Sequence, residues 1–278
     1  MTVANSYPED LLVSVKEQRA TAAQRVKALK TETEEATRIE KLLEDLDCFM
    51  NKGWFLHILD LIDKEAPLLD KMEADNRITA SSREKIYQIT KEKIGELKPY
   101  FFPRYLEEAC RDANLPLDKD STHPHYKFEK GFFQLNIDEI KKTARLSDYE
   151  SRRLCELPAD IGAIVEVVQR EHKRVFERPF DGRSFVKKLR SHYLAILKKD
   201  KLKDGSSISI RQITRRLGKN EKNFRSDEFL IDLSRLVEQG ITEIEGKRLE
   251  LQQSKDISQG MLLHGAAGRG YVGFILFK

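Results

Sequence analysis

Two histidines flank a proline at His123-Pro124-His125, a pairing that invites a metal-binding reading. No cysteine or carboxylate triad accompanies them at ligand spacing, so loop histidines without a ligand role, and no metal, are expected. Cys48, Cys110 and Cys155 are far apart, odd in number and form no C-x-x-C pair. That supports neither a zinc ribbon nor a dithiol redox site, and it suits idle thiols in a reducing compartment. The run Asp138-Glu139-Ile140-Lys141 comes nearest to the strand-borne carboxylates and lysine of a metal-dependent nuclease. A hairpin turn explains it more simply, and a nuclease is kept only as a minor alternative. The glycine-rich GAAGRG at 265–270 lacks the Lys-Ser/Thr pair of a phosphate-cradling loop, and a turn between strands is expected there. His57 and His172 fall within helical runs, as core or surface. The expectation is a chain with no catalytic residues, no cofactor and no enzymatic activity.

Charge carries more information. Residues 181–225 hold 14 Lys or Arg against 4 Asp or Glu, a net +10, whereas residues 1–100 hold 16 basic and 19 acidic side chains. Such asymmetry suggests that one end of the chain meets a polyanion or an acidic partner. The candidate nucleic-acid-binding residues are Lys187, Lys188, Arg190, Lys198, Lys199, Arg211, Arg215, Arg216, Lys219, Lys222, Arg225, Lys247 and Arg248.

The elements that must position these residues follow from periodicity. Residues 10–50 contain no Gly or Pro, and apolar side chains recur at steps of three and four. This predicts one long helix with a narrow stripe suited to pairing with one or two other helices. Leu11, Val15, Val26, Leu29, Ile39, Leu43 and Leu46 are the candidate partner-binding residues. After Gly53, residues 54–72 predict a buried helix bent at Pro67. Ser81 and Glu84 suggest a capping box for the next helix, and Pro99 and Pro103 punctuate before another over 104–113. Residues 126–146 alternate as two or three short strands turning near Lys130-Gly131 and 138–142. Helices are expected over 158–176, opened by Pro158, and over 183–199.

Residues 183–251 run helix, helix, turn, helix, hairpin, with a short helix ending in RRLG, a third ending in LVEQG, and ITEIEGKRLEL alternating around Glu245-Gly246. These features resemble the winged-helix superfamily over about a quarter of the chain. The resemblance implies a third helix that enters the DNA major groove. Here that helix carries Asp227, Glu228 and Asp232 at positions read as exposed, which would repel phosphate. Either the basic elements hold the DNA backbone with little base reading, or the module docks on protein. The layout as a whole is similar to that of accessory subunits of SMC-type complexes used in chromosome handling or phage defence.

The fold class expected is mainly α with small β elements: a helical arm or bundle over 1–113, a small α+β region over 114–180, and a basic winged-helix-like domain over 181–278 with a C-terminal β-hairpin. The function expected is that of a non-catalytic, DNA-associated accessory subunit. DNA would be bound without sequence specificity, and a partner protein through the N-terminal helix, with a homodimer as one form of that pairing. A stand-alone winged-helix transcription regulator is the alternative. No run reaches the ~18 apolar residues of a membrane span, and the first residues lack the order of a signal peptide, so a cytoplasmic protein without membrane contact is expected.

Overall fold

The computed structural model describes residues 7–96, 99–254, 260–265 and 268–278. Among the described residues the chain is mainly α-helical with two small sheets. Its helices are α1 (Glu9–Lys52), α2 (Phe55–Lys64), α3 (Ala66–Ala74), α4 (Ala80–Glu96), α5 (Phe102–Asp112), α6 (Ile161–Phe176), α7 (Gly182–Asp200), α8 (Ile210–Asn220) and α9 (Ser226–Glu238). Strands β1 (His125–Phe128), β2 (Phe133–Asp138), β3 (Thr143–Asp148) and β4 (Arg153–Pro158) form one sheet in that order. The second contains β5 (Ile208–Ser209), β6 (Glu243–Ile244), β7 (Lys247–Gln253), β8 (Met261–Gly265) and β9 (Gly268–Phe277), in the order β5-β9-β7-β6 with β8 also on β9. Among the described residues, no helix is long and apolar enough to cross a membrane.

The chain divides into two compact units, residues 1–106, 138–144 and 157–164 in one and residues 107–137, 145–156 and 165–278 in the other. In the first unit α1 runs unbroken for 44 residues and ends where Gly53 takes a left-handed conformation, φ 67°, its N–H donating to the Met50 carbonyl. The core of this unit gathers Leu42 from α1 with Ile58, Ile62, Leu68, Leu69 and Met72, flanked by Ile39, Leu46 and Phe49. The expected bend at Pro67 is a full break. The α2 helix stops at Glu65 and α3 restarts with Pro67 in its first turn, where no N–H is needed. The Ser81 capping box does not form. Helix α4 already begins at Ala80, and the Thr79 hydroxyl accepts from the Ser82 N–H at 3.2 Å.

In the second unit β1 and β2 pair antiparallel, Tyr126 opposite Leu135, around a turn in which Glu129, Lys130 and Gly131 all have positive φ. The turns near 130 and 140 stand where the alternation places them, but there is a fourth strand, Arg153–Pro158. Pro158 therefore closes a strand, and α6 starts three residues later at Ile161. At 138–142 the Asp138 carboxylate accepts from the Ile140 and Lys141 N–H groups at 3.1 and 2.9 Å, an ordinary Asx turn that occupies the E-x-K run. Glu245 and Gly246, φ 52° and 70°, turn β6 into β7. Strand β9 pairs antiparallel with β5, β7 and β8 in turn. Part of the GAAGRG turn, residues 266–267, lies outside the described residues.

Candidate nucleic-acid interface

Helix α7 is capped by Asp181, whose carboxylate accepts from the Arg183 and Ser184 N–H groups at 3.0 and 3.2 Å. It buries Val186, Leu189, Tyr193, Ile196 and Leu197 at helical spacing, which leaves Lys187, Lys188, Lys198 and Lys199 on the exposed side. Helix α8 buries Ile210, Ile213 and Leu217 and turns Arg215 and Lys219 outward. Between the two helices runs a groove lined by Ile196, Lys199, Asp200, Gln212, Arg215, Arg216, Lys219 and Asn220. Its single carboxylate, Asp200, accepts from the Gln212 amide at 3.1 Å. Among the described residues, Lys187, Lys198, Lys199, Arg215, Lys219, Lys222 and Arg248 make no salt bridge. Arg216 is half-buried with its Nε unpartnered, and Lys247 is half-buried.

Four of the thirteen candidate cations are engaged elsewhere. Arg190 is buried, grips Asp204 with two bonds of 2.7 and 2.6 Å, and lies over the rings of Tyr193 and Phe277. Arg211 binds Glu150 at 2.5 Å and the Gly260 carbonyl at 2.8 Å. Lys188 pairs with Glu221 at 2.5 Å, and Arg225 lies 3.5 Å from Asp227 and 3.8 Å from Glu171. Arg190 and Arg211 are therefore tied into the fold through their terminal nitrogens. Of the arginine trio on α8, only Arg215 is fully available.

The acidic helix also needs correction. Asp227 and Asp232 are buried, not exposed. Arg174 near the end of α6 donates to Asp227 and Glu228 at 2.5 Å each, and Arg178 pairs with Asp232. Arg235 donates to the carbonyls of Phe176 and Arg178, and the His264 N–H of β8 donates to the Ser234 hydroxyl at 3.0 Å. With Phe229, Leu230, Ile231, Leu233, Ser234 and Leu236 also buried, α9 is enclosed by its own unit. Within the helix only Val237 and Glu238, at its C-terminal end, are exposed.

Burial opposes ionisation of Asp227, but the Arg174 guanidinium outweighs it and holds the carboxyl below its usual range. For Asp232 burial prevails over Arg178 and pushes the carboxyl up. His192, 3.4 Å from Glu221, is pushed down chiefly by burial, and Arg216 and Lys188 act in the same direction. Glu221 acts against them, so burial sets the direction. A second cluster lies apart from the groove. His172 hydrogen-bonds Glu129 at 3.0 Å, which raises the His172 imidazole against the effect of burial, while His264 hydrogen-bonds the Glu129 carbonyl at 2.8 Å. Sequence reading missed this cluster because its members come from three distant segments. Among the described residues, no group of three His, Cys, Asp or Glu is placed to hold a metal.

The candidate partner-binding residues divide. Leu11, Val15, Val26, Leu29 and Leu43 are exposed along α1, whereas Ile39 and Leu46 pack against the core of the first unit.

No protein-family model, no curated protein and no solved structure matches the chain.

Proposed function

We propose that the chain is a DNA-associated accessory subunit whose contact face is the α7–α8 groove. The observation that carries this is the set Lys198, Lys199, Arg215 and Lys219, exposed and free of salt bridges among the described residues, on two adjacent helices. With Asp200 the single carboxylate among them, these cations repel one another, and a polyanion relieves that repulsion. Lysines and arginines on an open groove meet phosphates, which fix position and carry no sequence information. The order α7, β5, α8, α9, β7, β9, with β5 and β7 on either side of β9, supports the winged-helix reading. The enclosure of α9 disfavours the alternative of a sequence-reading regulator, which needs that helix free. The exposed stripe on α1 supports a second role, that of docking on a companion helix in a larger assembly; an SMC-type ATPase complex is the class whose layout it resembles.

Labelled duplexes of several unrelated sequences test this reading. The expected result is closely similar affinities that all fall steeply with salt. One sequence bound far more tightly than the rest would favour the regulator, and no binding at low salt would overturn both.

A further inference from the structure

His192 lies on the side of α7 that meets α8. Its Nε2 is 3.4 Å from a carboxylate oxygen of Glu221, the residue that caps the end of α8, and its side chain is 17% exposed. Its Nδ1 is buried and, among the described residues, has no hydrogen-bond partner. Three charged groups act on the ring. Lys188 stands one turn earlier on α7, Arg216 comes from α8, and Glu221 from the cap of α8. Glu221 is shared, because it also pairs with the Lys188 ammonium at 2.5 Å. A proton on His192 therefore sets a third positive charge around Glu221. Burial opposes that proton first, and Arg216 and Lys188 add to it, so the free chain holds the imidazole below its ordinary 6.5 against the pull of Glu221.

The groove is close enough to sense that charge. Ile196 lines it one helical turn after His192, a rise of about 6 Å along α7. Screening at physiological ionic strength acts over about 8 Å, so a charge on the ring and a phosphate in the groove interact. Arg216 belongs to both places: it lines the groove, and it is one of the cations that act on His192. A phosphate seated on Arg216 offsets the repulsion between the guanidinium and the ring, and it adds a negative charge of its own. Both effects favour the protonated imidazole. The coupling is reciprocal, so whatever DNA contributes to the proton, the proton contributes to DNA.

We infer that protonation of His192 strengthens DNA binding at the α7–α8 groove, and that the complex takes up a proton there as it forms. This rests on the DNA-contact reading above and adds a regulation to that same face. The sign is fixed by the linkage. A bound polyanion raises the imidazole, so affinity is lowest where the ring is neutral with and without DNA. It rises as pH falls through the value in the complex and levels off below the value in the free chain.

A labelled duplex is titrated with the full-length chain at fixed low salt, from about pH 7.5 down to about pH 5.5. The wild type should bind about threefold more tightly at the lower end, the effect of one screened phosphate on one imidazolium. His192→Gln should lose that gain. An equal gain in both proteins would assign it to other groups and overturn the inference, as would an affinity of the wild type independent of pH. A second readout needs no variant: the imidazole resonance of His192 is followed through a pH titration by NMR, with and without the duplex. Its midpoint should rise in the complex, and an unmoved midpoint overturns the coupling. Absence of DNA binding at every pH is a different result, since it removes the contact face itself and this inference with it.

Discussion

The Arg190 guanidinium is held by Asp204 on one side and covers Tyr193 and Phe277 on the other, so its charge serves the turn after α7. The Tyr193 hydroxyl completes that clamp, donating to the Ser206 carbonyl at 2.8 Å and accepting from the Gly205 N–H. Arg190→Ala should cost about 2 kcal/mol in urea unfolding, the loss of a charge-assisted pair, while leaving the exposed groove cations in place. His172 gives a pH test. Its hydrogen bond to Glu129 raises the imidazole above its ordinary 6.5, and Glu129 in turn is held below its ordinary 4.5. A raised base adds stability that is full below the unfolded value and is lost as pH rises through the folded one. A depressed acid adds stability above its unfolded value and loses it as pH falls. The pair should therefore contribute most between about pH 5 and 6. The melting-temperature gap between wild type and His172→Gln should be widest there and shrink by pH 8. A gap independent of pH would show that the hydrogen bond does not couple to the charge.

At the scale of elements, helix ends and helix faces depend on residues remote in sequence. Helix α2 starts at Phe55 without a side-chain cap of its own, because Trp54 offers none. Asp160 supplies it, accepting from the Leu56 and His57 N–H groups at 3.1 and 2.9 Å and from the His57 ring at 2.7 Å. Asp160→Ala should destabilise the first unit by about 1–2 kcal/mol, read by thermal unfolding. Helix α9 shows the same dependence. Arg174→Ala leaves the buried Asp227 with only the more distant Arg225, 3.5 Å away, as a counter-charge, at a cost of about 3 kcal/mol. An exposed helix would instead tolerate that loss within about 0.5 kcal/mol. These two elements also explain what was legible beforehand. The 3.6-residue periodicity of α1, α7 and α8 and the Glu245-Gly246 turn are local signals, and they place the helices and the hairpin. The partners of Asp227 and Asp232 are not local: Arg174 and Arg178 lie more than fifty residues upstream. Polar residues on a predicted helix read as exposed until their partners are known, which is why α9 looked like a solvent-facing acidic helix. Strand β4 escaped for a different reason. Pro158 is as acceptable at the end of a strand as at the start of a helix, and periodicity could not separate the two.

Across the whole molecule, charge is sorted by segment. The first hundred residues are slightly acidic in sum, while residues 181–225 carry +10. The structure refines that sum, because Arg190, Arg211, Lys188 and Arg225 are paired internally, and the cations that remain converge on α7 and α8. On the function proposed above, this remainder meets the DNA backbone. Each phosphate contact contributes about 0.9 to the slope of log affinity against log salt. The most direct measurement is that slope for the wild type and for a Lys199→Glu, Arg215→Glu, Lys219→Glu variant. These three side chains are exposed, so the melting temperature should not change. Weaker binding with a slope lower by about 3 is expected. An unchanged affinity and slope in a normally folded variant would contradict it.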